Sequence, residues 1–522
     1  MTTPQLDRRL GPWTMLAISV GGIIGSAWLF APLYAAQVAG PAALLSWGLS
    51  IGAALLLALV YAELGASFPV AGGLARFSYF SHGNLAGFVA GFACWLGYVA
   101  IAPIEVQAMI AYLADDWSWL LAGEGSRSLS PWGMVVATGL LLAMTAVNLL
   151  GVSWFGESNK VITAWKVVVP VLIPAMLIAN SFEPANFTDA GGFMPNGWSG
   201  TFAAVSTGGT VMAMLGFRAA IEMAGEARRP ERDVPFAVIG SVLITGAIYL
   251  LIQIGFLGAI PPAGLAGGWS SLASHVQAGP FVELAAAAGL AWLVKLILVD
   301  AVVSPAGCGL VFVGASARLS LAMARNGQAP ASCGRLSQRG VPAVALGVNF
   351  LVGLLFFAPS QTWQSIVGFI SSIQVLSLAF GPPALLALRR SLPDAPRPFR
   401  LPAVGVIAGA AFVIANLIIY WVGWETNRVT LGILAGAGVG FALLRAWRSP
   451  HAPLDLGALR WLLPWFVGLA VISALGSYGG GRGLLPAGWD LLLVAALSLV
   501  VLQCSRISPT ARPPSGTDLE RG

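Results

Sequence analysis

The chain has 522 residues, of which 57% are hydrophobic and only 9% are charged, and its formal net charge is +6. Ordinary soluble domains carry roughly 25% charged residues, so this composition excludes a water-soluble protein. The hydrophobic residues fall in repeated runs of about twenty, long enough to cross the hydrocarbon core of a bilayer. The sequence therefore predicts an all-α polytopic membrane protein.

Hydropathy and loop charge, taken in chain order, predict about fourteen transmembrane helices with no soluble domain between them. Their predicted bounds are residues 12–38, 42–67, 84–113, 131–150, 158–180, 199–223, 235–259, 282–318, 341–358, 362–388, 403–423, 428–446, 459–476 and 486–504. Residues 1–11 are predicted to be a cytoplasmic N-terminus. The tail at 505–522, rich in Pro, Ser, Thr and charge, is predicted to be disordered.

Positive charge is sorted between loops rather than gathered on one domain, which argues against nucleic-acid binding. Most arginines fall in loops on one side of the membrane, and the opposite loops hold only Arg127, Arg428 and Arg482. Since cytoplasmic loops carry the excess of Lys and Arg, both termini are predicted to be cytoplasmic. The excess of arginine over lysine, with abundant alanine, glycine and proline, is typical of a GC-rich bacterial genome, and the expected location is the bacterial inner (plasma) membrane. None of the four cysteines is placed for an exported disulfide, so no disulfide-linked subunit is expected.

Two of the predicted helices, the first and the sixth, carry glycine-rich interruptions in their middle. The first contains the run from Gly21 to Ala27, and the sixth contains Gly208, Gly209 and Gly216. Interrupted segments at corresponding positions of two halves indicate a transporter site, because the freed N–H groups attract a carboxylate and the freed carbonyls attract an ammonium. An amino acid carries both groups. For the first helix alone, close packing of Gly21 and Gly25 against a neighbouring helix is an equally good interpretation.

Several segments, in their order and spacing, resemble motifs of the amino acid-polyamine-organocation (APC) superfamily. They are Ile23-Ile24-Gly25-Ser26-Ala27 in the first helix, Ala93-Cys94-Trp95-Leu96-Gly97-Tyr98 in the third, Gly225 to Pro235 after the sixth, Ala324 to Pro330 and Gly340 to Pro342 after the eighth, and Pro393 to Pro402 after the tenth. The first motif usually has glycine where this chain has Ala27, which narrows the pocket. The likeness covers residues 11–447 and leaves the last two helices unexplained.

This resemblance implies a five-plus-five inverted-repeat fold in which helices one and six are discontinuous. The transport core is then 12–388, with repeats at 12–180 and 199–388, and 403–504 holds accessory helices. The resemblance also moves the break in the sixth helix towards Met212 to Gly216.

The resemblance further implies which residues meet an amino-acid substrate. The substrate carboxylate is expected at the backbone of Gly25, Ser26 and Ala27. The ammonium is expected at carbonyls near Ile23, Met212 and Leu215, with Gly216 beside them. The pocket-wall candidates carried over from the family are Ala93, Cys94, Tyr98, Ser371 and Ser372.

Ionisable side chains inside the predicted helices are costly in lipid and are therefore functional candidates. They are Glu63, Glu105, Lys166, Arg218, Glu222, Glu283, Lys295 and Asp300. The sequence places Glu63 and Glu283 near helix ends, where they are expected to be solvated, and Glu105 deep in the third helix. Lys295 and Asp300 are five residues apart and do not share a helix face. Lys295 is therefore expected to pair with another helix or to extend towards the interface.

Lys166 is one of only three lysines in the chain and lies in the fifth helix. In proton-coupled members of the family, a lysine here occupies the volume that sodium fills in sodium-coupled relatives. Burial removes the hydration that favours the charged amine, so protonation can follow the opening of the site to either side. The sequence thus predicts proton coupling without sodium, and a static ion pair between two helices is the alternative.

Arg218 follows the break in the sixth helix, where many relatives carry glutamate. A guanidinium binds carboxylates in a bidentate manner, which favours an acidic substrate such as aspartate or glutamate. An internal ion pair with Glu222, one helical turn later, is the alternative.

The leading interpretation is a secondary active amino-acid transporter working by alternating access, proton-coupled and with a lean towards acidic substrates. An amino acid or amine exchanger is the alternative within that class. The alternatives from other functional classes are a nutrient sensor with a transporter fold and a membrane-embedded enzyme. His82, His275 and His451 are predicted to lie in loops, and no phosphate-binding loop is present, so neither a metal site nor a cofactor is expected.

Overall fold

The computed structural model describes residues 10–114, 117–123, 128–150, 152–272, 279–358, 363–448, 455–486 and 488–507, without the side chains of 152–161, 364, 365, 448 and 507. The predicted N-terminus, except Leu10 and Gly11, the tail beyond residue 507, Arg127, His275 and His451 therefore lie outside the described residues. The prediction that the disordered tail begins at residue 505 was wrong, because residues 505–507 continue the last helix. Within the described ranges the chain is all-α, as the sequence predicts.

The apolar runs fold into helices separated by short connections. They are α1 (Pro12–Ile23), α2 (Ala27–Ala39), α3 (Ala43–Ser67), α4 (Gly73–Leu113), α5 (Pro131–Leu149), α6 (Val152–Ser181), α7 (Gly197–Ser206), α8 (Thr210–Met214), α9 (Arg218–Glu222), α10 (Pro230–Ala259), α11 (Pro280–Ala287), α12 (Ala291–Arg325), α13 (Ala343–Gly353), α14 (Trp363–Ala379), α15 (Gly381–Ser391), α16 (Val404–Val422), α17 (Trp424–Arg448), α18 (Leu459–Leu475) and α19 (Trp489–Ile507).

Among the described residues, 11 helices are long and apolar enough to cross a membrane, or up to 12 if the bent pair α7–α9 counts as one. Two further apolar helices, Pro12–Ile23 and Ala343–Phe357, are shorter. The predicted total of about fourteen is therefore not confirmed, because α1 is only half of an interrupted helix and the helix at α13 falls short of a full crossing length. The chain is a multi-pass membrane protein.

Corresponding helices of the two halves pack against each other. Helix α3, the second helix of the first half, lies along α10, which is the second of the other half, and α4 likewise lies along α12. This pairing is the one expected of two inverted repeats. The interrupted helices, α1–α2 and α7–α9, lie between the α3–α10 pair and the α4–α12 pair.

The first interruption lies where the sequence predicts it. Helix α1 ends at Ile23, the next residue, Ile24, has extended backbone (φ −84°, ψ 99°), and α2 begins after Ser26. A Cβ on Gly25 would meet the carboxylate of Glu105 and would stand 2.8 Å from the Cys308 sulfur. Glycine at position 25 therefore allows α4 and α12 to approach the break closely.

The second interruption differs from the prediction. The bend of 45° falls between α7 and α8, at residues 207–209, and Gly209 has φ +83°. The stretch from Met212 to Gly216, which the family resemblance favours as the break, remains helical and tightens to a 3₁₀ turn at Leu215–Phe217. The prediction was wrong here because the left-handed backbone, which glycine adopts without strain, occurs at Gly209.

Two side chains predicted to be solvated or in loops are buried. His82 lies in α4 just before a kink at Gly83, and its Nε2 is 3.2 Å from the Ser505 carbonyl oxygen. Glu63 is fully buried in α3, where its carboxylate binds Arg389 and accepts the Leu401 N–H at 2.8 Å, and Arg397 lies at 3.7 Å. Both predictions were wrong because the later helices cover these positions.

Replacing Glu63 by glutamine is expected to destabilise the protein by about 1.5–3 kcal/mol, since the charged hydrogen bonds of this buried carboxylate to the half-buried Arg389 would be lost. The thermal unfolding midpoint of the purified protein measures this effect. Glu231→Gln, at an exposed carboxylate on α10, is the matched control. A midpoint for Glu63→Gln equal to that of the control would contradict the assigned role.

The accessory helices are tied together by hydrogen bonds inside the bilayer. Asn416 of α16 donates to Ser498 of α19 at 2.9 Å and accepts from Trp465 of α18 at 2.7 Å. Tyr420 donates to Asp490 at 2.6 Å. These bonds satisfy polar groups that lipid cannot, so the last helices form one unit with α16.

Candidate functional site

A small cavity lies between the two interrupted helices. Its volume is about 20 Å³, which is room for roughly one water molecule. Its lining residues are Gly22, Ile23, Ala27, Ile101, Ile104, Glu105, Met212, Ala213, Gly216, Cys308, Phe312 and Gln374. Of the predicted site residues, Ile23, Ala27, Met212 and Gly216 are thus brought together around one space.

The backbones of the two interrupted helices touch at Gly216. A Cβ there would overlap the Gly22 carbonyl group and would stand 2.5 Å from the Ile23 nitrogen. No side chain fits at this crossing without separating α1 from the 3₁₀ turn.

Gly216→Ala is expected to abolish uptake and to lower the unfolding midpoint, because the added methyl group meets fixed backbone and overpacking alone costs about 1–3 kcal/mol. Gly347→Ala in α13, where an added Cβ meets open space, is the control. Uptake by Gly216→Ala at the rate of the control variant would show that the crossing tolerates separation.

The position predicted for a substrate carboxylate holds the carboxylate of Glu105. Its Oε2 accepts the Ser26 N–H at 2.6 Å, at the start of α2. The Ser26 hydroxyl accepts the indole N–H of Trp363 at 2.9 Å. The helix break therefore binds a carboxylate of the protein itself, which shows that its geometry suits this group.

The carbonyl groups of the first interruption are also engaged. The hydroxyl of Tyr249 donates to the Ile23 carbonyl oxygen at 3.0 Å, and the Cys308 thiol donates to that of Gly22 at 3.4 Å. A substrate ammonium would have to displace or share these donors.

Lys166 joins α6 to the end of α1. Its fully buried Nζ donates to the Gly21 carbonyl oxygen at 2.6 Å. In the described part of the chain no carboxylate forms an ion pair with it. The carboxylate of Asp300 instead accepts from Trp165 at 2.7 Å and from Ser304 at 2.8 Å. The static ion pair, which was the alternative interpretation of Lys166, is therefore not formed.

A second polar cluster, formed by Arg218, Glu222, Tyr98 and Cys94, lies next to the cavity. The guanidinium of Arg218 stacks 4.4 Å from the centre of the Tyr98 ring and 5.9 Å from that of Phe312, a cavity residue. Glu222 accepts from the Tyr98 hydroxyl at 3.3 Å, and the Cys94 sulfur is 3.9 Å away.

Arg218 is fully buried, yet its three side-chain nitrogens find no hydrogen-bond partner among the described residues. One carboxylate oxygen of Glu222 is unpartnered in the same sense, and the two side chains form no ion pair. Burying a charge without hydrogen bonds is costly, so this guanidinium is suited to receive a ligand.

Eight predicted substrate-binding residues do not line the cavity: Gly25, Ser26, Ala93, Cys94, Tyr98, Leu215, Ser371 and Ser372. The Ser371 hydroxyl donates to the Ser206 carbonyl oxygen at 3.1 Å, at the end of α7, and Ser372 donates to Asn427 at 3.0 Å. Ala93 and Leu215 are buried in the packed core. Ser371 therefore supports the second interruption.

Contacts close the cavity at both ends of the bundle. At the end predicted to be cytoplasmic, Arg318 of α12 pairs with Glu226 at 2.7 Å, and the Leu10 N–H donates to the Glu226 carbonyl oxygen at 3.0 Å. At the other end Trp363 packs between Phe30 and Tyr34, with ring centres 5.1 and 5.4 Å away. The structure is thus closed on both sides, and an amino acid can enter only if helices move.

Sequence reasoning gave no site role to several residues that build this centre: Glu105, Cys308, Tyr249, Trp363 and Gln374. Glu105 had a signal, since it is an ionisable residue deep inside a helix. Gln374 lies one helical turn after Ser371 on the same helix face, so helical periodicity does not decide which of the two side chains reaches the cavity.

Comparison with known proteins gives a consistent result. A family model described as amino acid permease matches residues 10–439. The chain is 37% identical over 503 residues to the glutamate/serine transporter AimA of Bacillus subtilis (strain 168), covering 95% of this chain and 93% of that protein. It is 34% identical to the aspartate-proton symporter of the same organism, covering 99% of each. Identity to the branched-chain amino acid permease BcaP, also from that organism, is 28%, over 84% of this chain and 94% of the relative. The last two helices, unexplained by the sequence motifs, are thus shared with the aspartate-proton symporter.

Proposed function

Since the chain belongs to the amino acid permease family and is therefore an amino-acid transporter rather than an enzyme, we propose that it is a sodium-independent proton symporter that prefers acidic amino acids. The names of its relatives support this proposal, since one is a glutamate/serine transporter and another an aspartate-proton symporter. We further propose that it lies in a bacterial inner membrane with both termini cytoplasmic, and the sorting of arginines between loops supports that orientation.

The buried guanidinium of Arg218, which has no hydrogen-bond partner in the part of the chain that the structure describes, is the observation that carries the acidic preference. An acidic amino acid has a second carboxylate, and an α-carboxylate held near Ser26 leaves this group free to extend towards Phe312. Displacing Phe312 or Tyr98 would bring the two charges together. A serine side chain lacks that carboxylate and gains nothing from Arg218.

Lys166 and Glu105 supply the proton coupling in this proposal. A charged ammonium holds the Gly21 carbonyl oxygen, and loss of its proton weakens that bond and releases α1. The substrate carboxylate must displace Glu105 from the Ser26 N–H. A proton on the displaced Glu105 side chain lowers the free-energy cost of leaving it buried without this hydrogen bond. Proton binding and substrate binding therefore act on the same helix break.

Closure at both ends of the bundle supports transport by alternating access. Separation of Arg318 from Glu226 would open one side, and movement of Trp363 away from Phe30 and Tyr34 would open the other. The cavity of about 20 Å³ must expand for any amino acid to bind.

Competition in proteoliposomes tests the substrate class. Unlabelled aspartate and glutamate are expected to inhibit uptake of labelled glutamate at lower concentrations than serine, with leucine and arginine weaker still. Equal inhibition by neutral and acidic amino acids would contradict the acidic preference. Uptake that requires an amino acid inside the vesicles would identify an exchanger instead, and ligand-induced stabilisation without any uptake would identify a sensor.

A further inference from the structure

A second, open cavity lies at the periphery of the bundle, at the end predicted to be cytoplasmic. Its volume is about 440 Å³. It lies between the last turns of α15 and α19 and the first turn of α16, and shares no lining residue with the central cavity. Its lining residues are Leu386, Arg389, Arg390, Val404, Gln503 and Arg506.

The charge around this cavity is only partly compensated. Arg389 is held by the buried carboxylate of Glu63 through two hydrogen bonds. Arg390 and Arg506 are exposed, and neither forms an ion pair with any described residue. Arg390 donates one N–H to the Arg506 carbonyl oxygen at 3.2 Å, which holds α15 against α19 and leaves its other N–H groups for a ligand. Arg506 also donates to the lining residue Gln503 at 3.3 Å, so the cavity presents two guanidinium groups without a carboxylate partner in the described part of the chain.

Apolar side chains line this cavity and lie exposed within one helical turn of it. Leu386 and Val404 belong to the lining, and the exposed side chains nearby are Val406 of α16 and Leu499 and Val500 of α19. A site that binds a soluble anion does not require apolar side chains beside it. A basic site at the end of membrane helices with apolar surface beside it matches a phospholipid, which has a charged phosphate and hydrocarbon tails.

We propose that this cavity binds the headgroup of an anionic phospholipid, with its phosphate held by Arg390 and Arg506 and its acyl chains lying along Val406 and Leu499. Guanidinium groups bind phosphate oxygens through paired N–H donors, which makes arginine well suited to this position. The bound lipid joins α15, the end of the second repeat, to α19. It thereby fastens the accessory helices to the transport core.

Thermal unfolding of the full-length, delipidated protein in detergent tests this site. Phosphatidylglycerol is expected to raise the unfolding midpoint, and phosphatidylcholine to raise it less. The double variant Arg390→Gln/Arg506→Gln is expected to need about 30-fold more phosphatidylglycerol for the same stabilisation. This fold-change follows from the loss of the binding free energy that each of the two arginines contributes at an anionic lipid surface. Arg339→Gln, an exposed arginine in a loop at the same end, is the control and should titrate like the unaltered protein.

Equal stabilisation of the double variant and the control would overturn the proposal, as would equal effects of the two lipids. Inorganic phosphate giving the same stabilisation as phosphatidylglycerol would show a soluble anion site and overturn the lipid assignment. If the double variant does not fold, native mass spectrometry of Arg506→Gln decides, with fewer phosphatidylglycerol adducts than in the control as the expected result. Unchanged adducts in that variant would also overturn it. None of these outcomes depends on the substrate or the proton coupling proposed above.

Discussion

Lys166→Met is expected to abolish proton-driven accumulation of substrate while exchange of substrate across the membrane continues. Methionine fills a similar volume but cannot hold the Gly21 carbonyl oxygen or change its charge. The Lys166 ammonium is fully buried and donates to that oxygen at 2.6 Å. Movement of α1 would then no longer depend on a proton. Uptake with and without an inward proton gradient, together with counterflow, measures both effects.

Lys295→Met is the matched control, since this lysine is exposed on the surface of α12. It should accumulate substrate as the unaltered protein does. The coupling role of Lys166 fails if Lys166→Met still accumulates substrate under a proton gradient. If folded Lys166→Met loses both counterflow and accumulation, the role of this lysine is purely structural.

Arg218→Gln is expected to reduce aspartate and glutamate uptake about 100-fold, because hydrogen bonds to charged groups contribute about 1.5–3 kcal/mol and every 1.4 kcal/mol is tenfold. Serine uptake should fall only a few-fold, since serine has no side-chain carboxylate to lose a partner. The guanidinium is enclosed by Tyr98 and Phe312 and has no hydrogen-bond partner among the described residues. Initial rates for acidic and neutral substrates in the same variant provide the measurement.

The comparison of substrates within one variant separates recognition from folding. A misfolded protein loses serine and aspartate uptake alike, whereas loss of carboxylate recognition changes their ratio. Arg232→Gln, at an exposed arginine of α10, should leave the ratio unchanged. An unchanged aspartate-to-serine ratio in folded Arg218→Gln would remove the basis for the acidic preference.

Local sequence predicted the features that depend on local backbone. The run from Gly21 to Ala27 identified the first interruption because the close approach of α4 and α12 leaves no room for a Cβ at Gly25. Gly208 and Gly209 marked the second interruption in the same way. The shift towards Met212 to Gly216 came from the family resemblance, and in this chain those residues line the cavity without breaking the helix.

Features that depend on distant contacts were not predictable from one sequence. Glu63 looked solvated because its partners, Arg389 and Arg397, lie more than three hundred residues later in the chain. Ser371 and Gln374 lie one turn apart on the same side of α14, so the position of α14 along its axis decides which of them reaches the cavity, and packing against α4 and α7 sets that position. Glu105 could be recognised as a buried charge, but its bond to the Ser26 N–H required the crossing of α2 and α4.

The most direct measurement is accumulation of labelled aspartate in proteoliposomes whose interior is more alkaline than the medium, with sodium omitted throughout. Proton symport predicts accumulation above the external concentration and its collapse when a protonophore is added. Accumulation that follows an imposed sodium gradient at equal pH, and does not respond to the proton gradient, would contradict the account.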